Sequence, residues 1–171
     1  MLDKAKTLTH GAYDAAAASA LKILVIHTRW NVEIVSALRD GVLSSLTNQY
    51  AIPRSNIDVV EVPGAFELPF ATKALLKQGK YDAVIPIGVL IKGATVHFEY
   101  ISEAATHALM NVGLESGTPV IFGILTCLTE EQALQRAGIG RGEEKGHNHG
   151  IDWAAAAVEM ALLNQGKARK H

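Results

Sequence analysis

The sequence predicts a three-layer α/β/α sandwich built on a four-stranded parallel sheet with helices on both faces. Two observations lead to this fold class. Four short apolar runs, rich in β-branched residues, alternate along the chain with segments whose apolar residues recur at helical spacing. Turn residues such as Pro63 and Gly64 separate the two kinds of segment. Strands that alternate with helices form a parallel sheet covered on both faces, because each crossover helix must pack against the sheet.

The predicted strands are apolar runs of strand length, at residues 22–28, 57–64, 81–91 and 118–126. Helical spacing predicts helices at residues 31–50, 65–77, 98–114 and 151–164. Asn31 is placed to cap the first helix. Thr129 and Gln132 have the spacing of a capping box, which predicts one more helix after the fourth strand. This order of elements is typical of a flavodoxin-like fold, whose ligands bind beyond the carboxyl ends of the strands.

Length and composition indicate one globular domain of ordinary type. The chain has 171 residues, of which 49% are hydrophobic and 19% are charged. Residues 1–20 are small, polar and rich in alanine, so we expect a flexible N-terminal arm followed by a single domain over residues 21–171. The net charge of -1 excludes a global basic field that would hold nucleic acid or an anionic membrane.

Cysteine usage and the N-terminus predict the compartment. The one cysteine, Cys127, cannot form an internal disulfide, and we interpret it as a packing residue because it has no identifiable activating neighbour. The N-terminal segment lacks the apolar core of a secretory signal. No run approaches the ~20 apolar residues of a membrane span. These features together predict a soluble protein of the cytoplasm.

Trp30 and Asn31 follow the first predicted strand, and two interpretations of this pair are open. In the first, Trp30 packs in the fold and Asn31 caps the next helix, which are common roles for such residues. In the second, Trp30 stacks on a flat heterocycle while Asn31 offers it hydrogen bonds. The position beyond a strand end is compatible with both.

The motif VPGAFELP, residues 62–69, ends a strand and begins a helix at once. Gly64 allows a ligand to approach the backbone, and free N–H groups at the helix start can meet polar ligand atoms. Glu67 in the first helical turn has two interpretations. Its carboxylate either stabilises the helix dipole or accepts hydrogen bonds from sugar hydroxyls.

The motif GVLIKGATVHFEY, residues 88–100, points to an anion. Gly93, Ala94 and Thr95 lie between a strand and a helix start, where backbone N–H groups, a hydroxyl and the helix dipole favour a phosphate. The spacing is not that of a P-loop. His97 follows directly, and it either transfers protons beside the phosphate or is a helix-start histidine without chemistry.

Other polar residues give weaker signals. Arg136 in a later helix either pairs with a phosphate through two hydrogen bonds or is a solvated surface arginine. Glu103 with His107, and His147 with His149, have the residue types of metal ligands. Each pair lacks further ligands, so the sequence predicts no metal site.

Taken together, these motifs resemble the lumazine synthase family in their order and spacing. The resemblance rests on Trp30-Asn31 after the first strand, VPGAFELP, GVLIKGATVHFEYISEA, PVIFGILT, and QRAG followed by HNHG and a helix with AAVEMAL. It covers residues 22–163, nearly the whole predicted domain, and five ordered motifs form a specific signal. The HNHG segment resembles the fungal branch of the family.

The resemblance implies a reaction and the residues that perform it. A lumazine synthase condenses 5-amino-6-(D-ribitylamino)uracil with 3,4-dihydroxy-2-butanone 4-phosphate to give 6,7-dimethyl-8-ribityllumazine, phosphate and water in riboflavin biosynthesis. His97 would be the proton donor and acceptor. The pyrimidine would be held by Trp30, Asn31, Ala65, Phe66, Glu67, Val89, Leu90, Ile91 and, from an adjacent subunit, Phe122. The phosphate would be held by Gly93, Ala94, Thr95 and Arg136.

The resemblance also implies a transferase without cofactor or metal, because the condensation involves no redox change. Members of the family form pentamers, and some assemble the pentamers into an icosahedral shell. The turn GIGRGEEKGHNHG before the last helix is longer here than in many members, and His149 stands where they have a lysine. We expect the longer turn to hinder shell formation. The predicted state is therefore a free homopentamer with its active sites between subunits.

Two other functions compete with this one. A flavodoxin-like FMN carrier would explain the fold, the phosphate turn and Trp30, but it would not explain His97 and Arg136 within these motifs. A catalytically inactive assembly protein would explain the fold alone. The intact motifs argue against it, because packing requires neither His97 nor Arg136.

Overall fold

Four parallel strands and six α-helices form residues 13–167, the part of the chain that this computed structural model describes. The strands are β1 (Ile23–Thr28), β2 (Ile57–Val62), β3 (Ala83–Ile91) and β4 (Gly123–Cys127). The helices are α1 (Ala15–Ser19), α2 (Val32–Ser44), α3 (Leu68–Gln78), α4 (His97–Ser116), α5 (Glu130–Arg136) and α6 (His149–Asn164). No helix in this part of the chain is long and apolar enough to cross a membrane.

The strands form one parallel sheet in the order β2-β1-β3-β4. In the register of the sheet, Ile23 of β1 pairs with Ile57 of β2 and with Ala83 of β3. Because all strands run the same way, their carboxyl ends meet at one edge, where such sheets bind ligands. The predicted four-stranded, flavodoxin-like sandwich is confirmed.

A hydrophobic core lies on each face of the sheet. Ile23 and Val25 of β1 contribute to the core under α2 and α6, whereas Leu24 and Ile26 contribute to the core under α3 and α4. This alternation follows from the period of two in a strand. All six residues of β1 are buried, which explains why its sequence is a continuous apolar run.

The fourth strand is shorter than predicted, because Pro86 of β3 interrupts the ladder beside it. Val120 makes an isolated bridge to Val84, and regular pairing begins only at Gly123, opposite Ile87. Val84 and every second residue after it direct their backbone N–H and C=O groups toward β4 and the segment before it. Pro86 has no N–H to donate there. The prediction of a strand from residue 118 is therefore wrong in its first half.

The N-terminal part of the described chain is packed rather than extended. Helix α1 lies within the segment expected to be an arm, and Asp14 caps it by accepting hydrogen bonds from the N–H groups of Ala16 and Ala17. Ala18 of this helix is fully buried in the core. Packing against the core therefore begins before residue 21. Residues 1–12 of the expected arm lie outside the described residues.

Two helix ends test the capping signals in the sequence. Thr129 caps α5 as predicted, because its Oγ1 accepts a hydrogen bond from Gln132 N at 3.3 Å. Gln132 Oε1 in turn accepts from Leu128 N at 2.9 Å, so both side chains serve free donors of the helix start. Helix α2 ends earlier than predicted and continues as a π-helical turn, Ser45–Gln49.

Helices α2 and α6 pack with their backbones in close contact. A Cβ atom added to Gly150 of α6 would lie 2.3 Å from the carbonyl oxygen of Leu38 in α2. Asn148 caps α6 by accepting a hydrogen bond from Gly150 N at 2.8 Å, and its Nδ2 donates to the carbonyl of Ala37 at 2.8 Å. One asparagine thus both starts α6 and attaches it to α2.

We predict that Gly150→Ala lowers the free energy of unfolding by about 1–3 kcal/mol, because the added methyl group meets backbone that cannot rotate away. Gly113→Ala in α4 is the matched control. Its Cβ would lie 3.5 Å from its nearest neighbour, so the change should be neutral or stabilise the helix by about 0.5–1 kcal/mol. Urea denaturation at one fixed protein concentration measures both. Equal effects of the two changes would contradict the close packing of α6 on α2.

Candidate active site at the carboxyl edge of the sheet

A cleft of about 500 Å³ opens where β1, β2 and β3 end, a size suited to a small organic molecule. Its walls come from the segments after β1 and β2, the end of β3 and the first turns of α4. The lining residues are Trp30, Asn31, Gly64, Ala65, Phe66, Glu67, Val89, Leu90, Ile91, His97 and Ile101. The fold thus brings His97 together with every residue predicted to hold a pyrimidine except Phe122.

The end of β3 presents unpaired backbone to this cleft. The ladder between β1 and β3 stops at the pair of His27 and Ile87, whereas β3 continues to Ile91 paired with β4 and no longer with β1. Alternate residues of a strand direct their N–H and C=O groups to opposite sides, so Val89 and Ile91 face the side where β1 is missing. The Val89 carbonyl accepts a hydrogen bond from Asn31 Nδ2 at 3.3 Å. The remaining groups are free to pair with the edge of a flat heterocycle.

Asn31 has a role that its sequence position did not predict. It occupies the N-cap position of α2, but its side chain makes no capping hydrogen bond, so the capping prediction is wrong. The physical reason is its left-handed backbone, with φ 54° and ψ 53°, since a capping residue needs an extended backbone. The side-chain amide instead bonds to Val89, and its oxygen is not used in that contact.

The side chains of Trp30 and Glu67 both lie next to Gly64. A Cβ atom added to Gly64 would lie 3.1 Å from Glu67 Oε2 and 3.3 Å from Trp30 Cδ1. Trp30 is 71% exposed, so it is a surface for stacking rather than a packed core residue. The Glu67 side chain makes no capping hydrogen bond to α3. Both side chains are therefore placed to meet a ligand in the cleft.

The turn of Gly93, Ala94 and Thr95 joins β3 to α4 and is exposed. A Cβ atom added to Gly93 would meet nothing within 4 Å, so no packing in the described chain requires glycine there. Thr95 Oγ1 accepts a hydrogen bond from His97 N at 3.4 Å, which leaves the hydroxyl hydrogen free to donate to another group. His97 begins α4 and lines the cleft, so it connects the turn with the cleft.

A second cleft of about 430 Å³ contains Phe122, the residue missing from the first. Its lining residues are Phe98, Glu99, Ser102, Glu103, Thr106, His107, Phe122, Thr126 and Leu128. His97 and Ile101 face the first cleft, whereas Phe98 and Ser102 face the second. The first two turns of α4 therefore separate two clefts, and within one chain Phe122 does not reach the predicted pyrimidine site.

Arg136 also lies away from the first cleft. It is exposed at the end of α5, where its Nη1 donates to the carbonyl of Gln132 at 3.3 Å. Burial raises the pKa of Cys127, and the charge of the nearby Arg136 partly opposes this shift. Cys127 ends β4, and Phe122 directly precedes that strand. Arg136 and Phe122 therefore flank β4, and neither lines the first cleft.

The histidines of the long turn before α6 form a local hydrogen-bonded contact. His147 Nε2 lies 2.9 Å from Asp152 Oδ2, and His149 Nδ1 lies 4.0 Å from the same oxygen. Burial lowers the pKa of His149, while Asp152 acts in the opposite direction. Across residues 13–167, no group of three His, Cys, Asp or Glu side chains could hold a metal ion.

Sequence reasoning did not assign Ile101 and Gly64 to the site, although both line the cleft. Ile101 follows His97 by four residues on α4, so helical spacing alone places the two on one face. Gly64 was noted for its access to the backbone. Its contacts with Trp30 and Glu67 depend on how β1 and β2 pair, which no local signal contains.

The fold and site define a flavodoxin-like α/β protein with a heterocycle-sized cleft beside a helix-start turn. The sequence matches the family profile described as 6,7-dimethyl-8-ribityllumazine synthase over residues 20–165. A Schizosaccharomyces pombe protein of that name is 54% identical to this chain, covering 83% of the chain and 87% of the relative. A Pyricularia oryzae protein of the same name is 41% identical, covering 84% and 88%. The chain belongs to the lumazine synthase family of enzymes, which act in riboflavin biosynthesis, and the resemblance to its fungal branch is confirmed.

The contact between Asn31 and Val89 can be tested by two substitutions. Asn31→Gly removes the side-chain hydrogen bond but tolerates the left-handed backbone, whereas Asn31→Ala removes the bond and adds about 1–2 kcal/mol of backbone strain. We therefore predict that Asn31→Ala lowers the free energy of unfolding more than Asn31→Gly does. Urea denaturation of both variants checks the order. Alanine tolerated as well as glycine would contradict the left-handed conformation.

Proposed function

We propose that the first cleft binds 5-amino-6-(D-ribitylamino)uracil and that the turn of residues 93–95 binds 3,4-dihydroxy-2-butanone 4-phosphate. The observation that carries this proposal is the position of His97. It lines the cleft, and its backbone N–H is bonded to Thr95 of the turn. A group able to transfer protons at neutral pH thus stands between the places where the two reactants would lie.

Each part of the pyrimidine substrate has a matching part of the cleft. The exposed ring of Trp30 would stack on the flat heterocycle. The unpaired backbone from Val89 to Ile91 would bond to its uracil edge, because such an edge carries both donors and acceptors. Glu67, beside Gly64, would accept hydrogen bonds from the ribityl hydroxyls. The neighbouring Ala65 and Phe66, with Leu90 and Asn31, would complete the walls.

The reaction needs positioning and proton transfer. The amine of the pyrimidine attacks the ketone, and one water leaves. Loss of a proton from C3 of the ketose then expels phosphate from C4, and the resulting enol returns to a ketone. The second amine attacks this ketone, and loss of a second water closes the ring. Holding two reactants close together in the reactive orientation can lower the activation free energy by roughly 7 kcal/mol or more. His97 would take the proton from the attacking amine and return one to the departing oxygen, a role that typically contributes ~10²–10⁴-fold. The net reaction needs no external oxidant or reductant, so the proposal includes no redox cofactor.

Phosphate departure requires charge stabilisation at the turn. Backbone N–H groups of Gly93 and Ala94, with the free hydroxyl hydrogen of Thr95, would bind the phosphate oxygens at the start of α4. Arg136 would supply the positive charge. In one chain neither Arg136 nor Phe122 lines the first cleft, so we propose that both serve the site of a neighbouring subunit.

This sharing favours a closed ring of identical subunits. The first cleft of one copy would face the second cleft of the next, and such a head-to-tail contact closes into a ring when the rotation allows it. Large apolar side chains are exposed at both clefts, Phe66 at the first and Leu128 at the second, and the contact would cover them. We propose a homopentamer, with the long turn before α6 opposing further assembly into a shell. The cytoplasmic location stays a prediction from the sequence.

The first test follows the fluorescence of the lumazine product after the purified protein is mixed with both substrates. We predict product formation above the spontaneous background, and a decrease in kcat of at least tenfold in His97→Ala, because its proton transfer is lost. The KM values should change little. Background-only formation by folded wild-type protein would contradict the proposed reaction. A flavin carrier would instead be isolated with about one FMN per chain.

The second test asks whether His97 and Arg136 act on one site from different subunits. His97→Ala and Arg136→Ala are assayed separately and after joint refolding, at a ketose phosphate concentration below the KM. Each alone should be strongly impaired. In a random mixed ring, about a quarter of the sites would combine an intact His97 with an intact Arg136, so about a quarter of the activity should return.

Sedimentation provides the control for this complementation. The mixed sample should sediment at about five times the 18.3 kDa mass of one chain, as the wild type should. Intact rings that recover no activity would place both residues in the site of the same subunit and overturn the shared-site proposal.

A further inference from the structure

An ion pair spans the turn to which we assign the phosphate. Lys92 Nζ donates to Glu99 Oε1, which joins the residue before the turn to the first turn of α4. The backbone N–H of Lys92 donates to the carbonyl of Cys127 at 2.9 Å, so Lys92 is fixed to the end of β4. The pair therefore ties a strand end to a helix start across residues 93–96.

The turn has only weak restraints among its other hydrogen bonds. The bond from His97 N to Thr95 Oγ1 and the bond from Tyr100 N to the Val96 carbonyl are both 3.4 Å long, beyond the usual optimum of about 2.9–3.0 Å. Residues 93–96 are exposed, and a Cβ atom added to Gly93 would meet nothing within 4 Å. A phosphate site made of backbone donors binds well only when these donors are already aimed at one point. A further restraint that fixes the conformation of the turn would therefore strengthen phosphate binding.

We propose that Lys92 and Glu99 are positioning residues for phosphate binding, whose ion pair holds residues 93–95 in the arrangement that receives the anion. The pair has a second effect, because an unpaired Glu99 carboxylate in the first turn of α4 would repel a phosphate. The hydrogen bond from Lys92 lowers the pKa of Glu99, so the pair stabilises the charged carboxylate on which it depends. This inference rests on the proposed function, which places the ketose phosphate at the turn.

A different role for Lys92, direct contact with the phosphate, makes an opposite prediction. If Lys92 were a ligand held away by Glu99, then Glu99→Gln would release it and strengthen phosphate binding. If the pair positions the turn, Glu99→Gln weakens binding, because the released ammonium is exposed to water and returns little attraction. The direction in which Glu99→Gln changes the phosphate affinity therefore distinguishes the two roles.

The main variant removes the pair without changing the net charge. It combines Lys92→Met with Glu99→Gln, so a change in phosphate affinity cannot come from a change in total charge. The matched control combines Lys73→Met with Glu115→Gln, which removes an exposed pair of 2.9 Å between α3 and α4 that belongs to neither cleft's proposed chemistry. Lys92→Arg keeps the pair and should behave as the wild type.

Two measurements on the assembled protein follow these variants. Calorimetry gives the Kd of inorganic phosphate, and steady-state assays give the KM for each substrate. The Lys92→Met/Glu99→Gln variant should raise the phosphate Kd and the KM for the ketose phosphate by roughly two- to fivefold, the range of an exposed ion pair. Glu99→Gln alone should act in the same direction. The KM for the pyrimidine, the control pair and the thermal midpoint should not change.

The proposal is overturned if the charge-neutral double variant binds phosphate as the wild type does, or if Glu99→Gln tightens binding. Its failure is distinguishable from failure of the proposed function. Wild-type protein that forms no lumazine but shows the expected changes in phosphate Kd would refute the reaction and keep the positioning role. Wild-type protein that forms lumazine, with variants whose phosphate Kd does not change, would keep the reaction and refute the positioning role.

Discussion

The unequal lengths of two neighbouring strands determine where a ligand can bind. β3 continues for four residues past its last pair with β1, from Gly88 to Ile91. Backbone N–H and C=O groups away from water need partners, so an unpaired strand edge inside a cleft is costly to leave empty. Asn31 satisfies the carbonyl of Val89, and a planar heterocycle can satisfy others. In the proposed site, recognition at this edge would depend on the register of the sheet more than on a cluster of charged side chains.

Strain and exposure at the site are supported by tight packing behind it. Asn31 has a left-handed backbone, and Trp30 and Phe66 expose most of their rings. Such features persist only where the surrounding structure holds them. Here β1 is buried along its whole length, and α2, which begins directly after Asn31, is attached to α6 through Asn148. The packed layer below therefore supports the conformation of the loop residues above it.

The sequence predicted the helices and strands well, because the spacing of apolar residues in each segment reflects which of its faces is buried. The prediction failed where the structure of a residue depends on a partner that is distant in the sequence. The start of β4 depends on Pro86 in another strand, and the side chain of Asn31 bonds to a carbonyl 58 positions away instead of capping its own helix. The candidate site residues were predicted from family motifs. The separation of Phe122 from the first cleft is a property of the folded surface, which no periodicity along one chain contains.

Helix α4 has a consequence for how this protein can evolve. Its residues are divided among three surfaces: one cleft takes His97 and Ile101, another takes Phe98 and Ser102, and the core takes Ala105, Leu109 and Val112. Few residues of this helix can therefore change without affecting one of these surfaces. A substitution that improves one surface alters its neighbours on the same helix, so the effects of mutations should be strongly non-additive there. Adaptive change in this helix would then proceed through compensating pairs, whereas the exposed faces of α3 can vary one residue at a time.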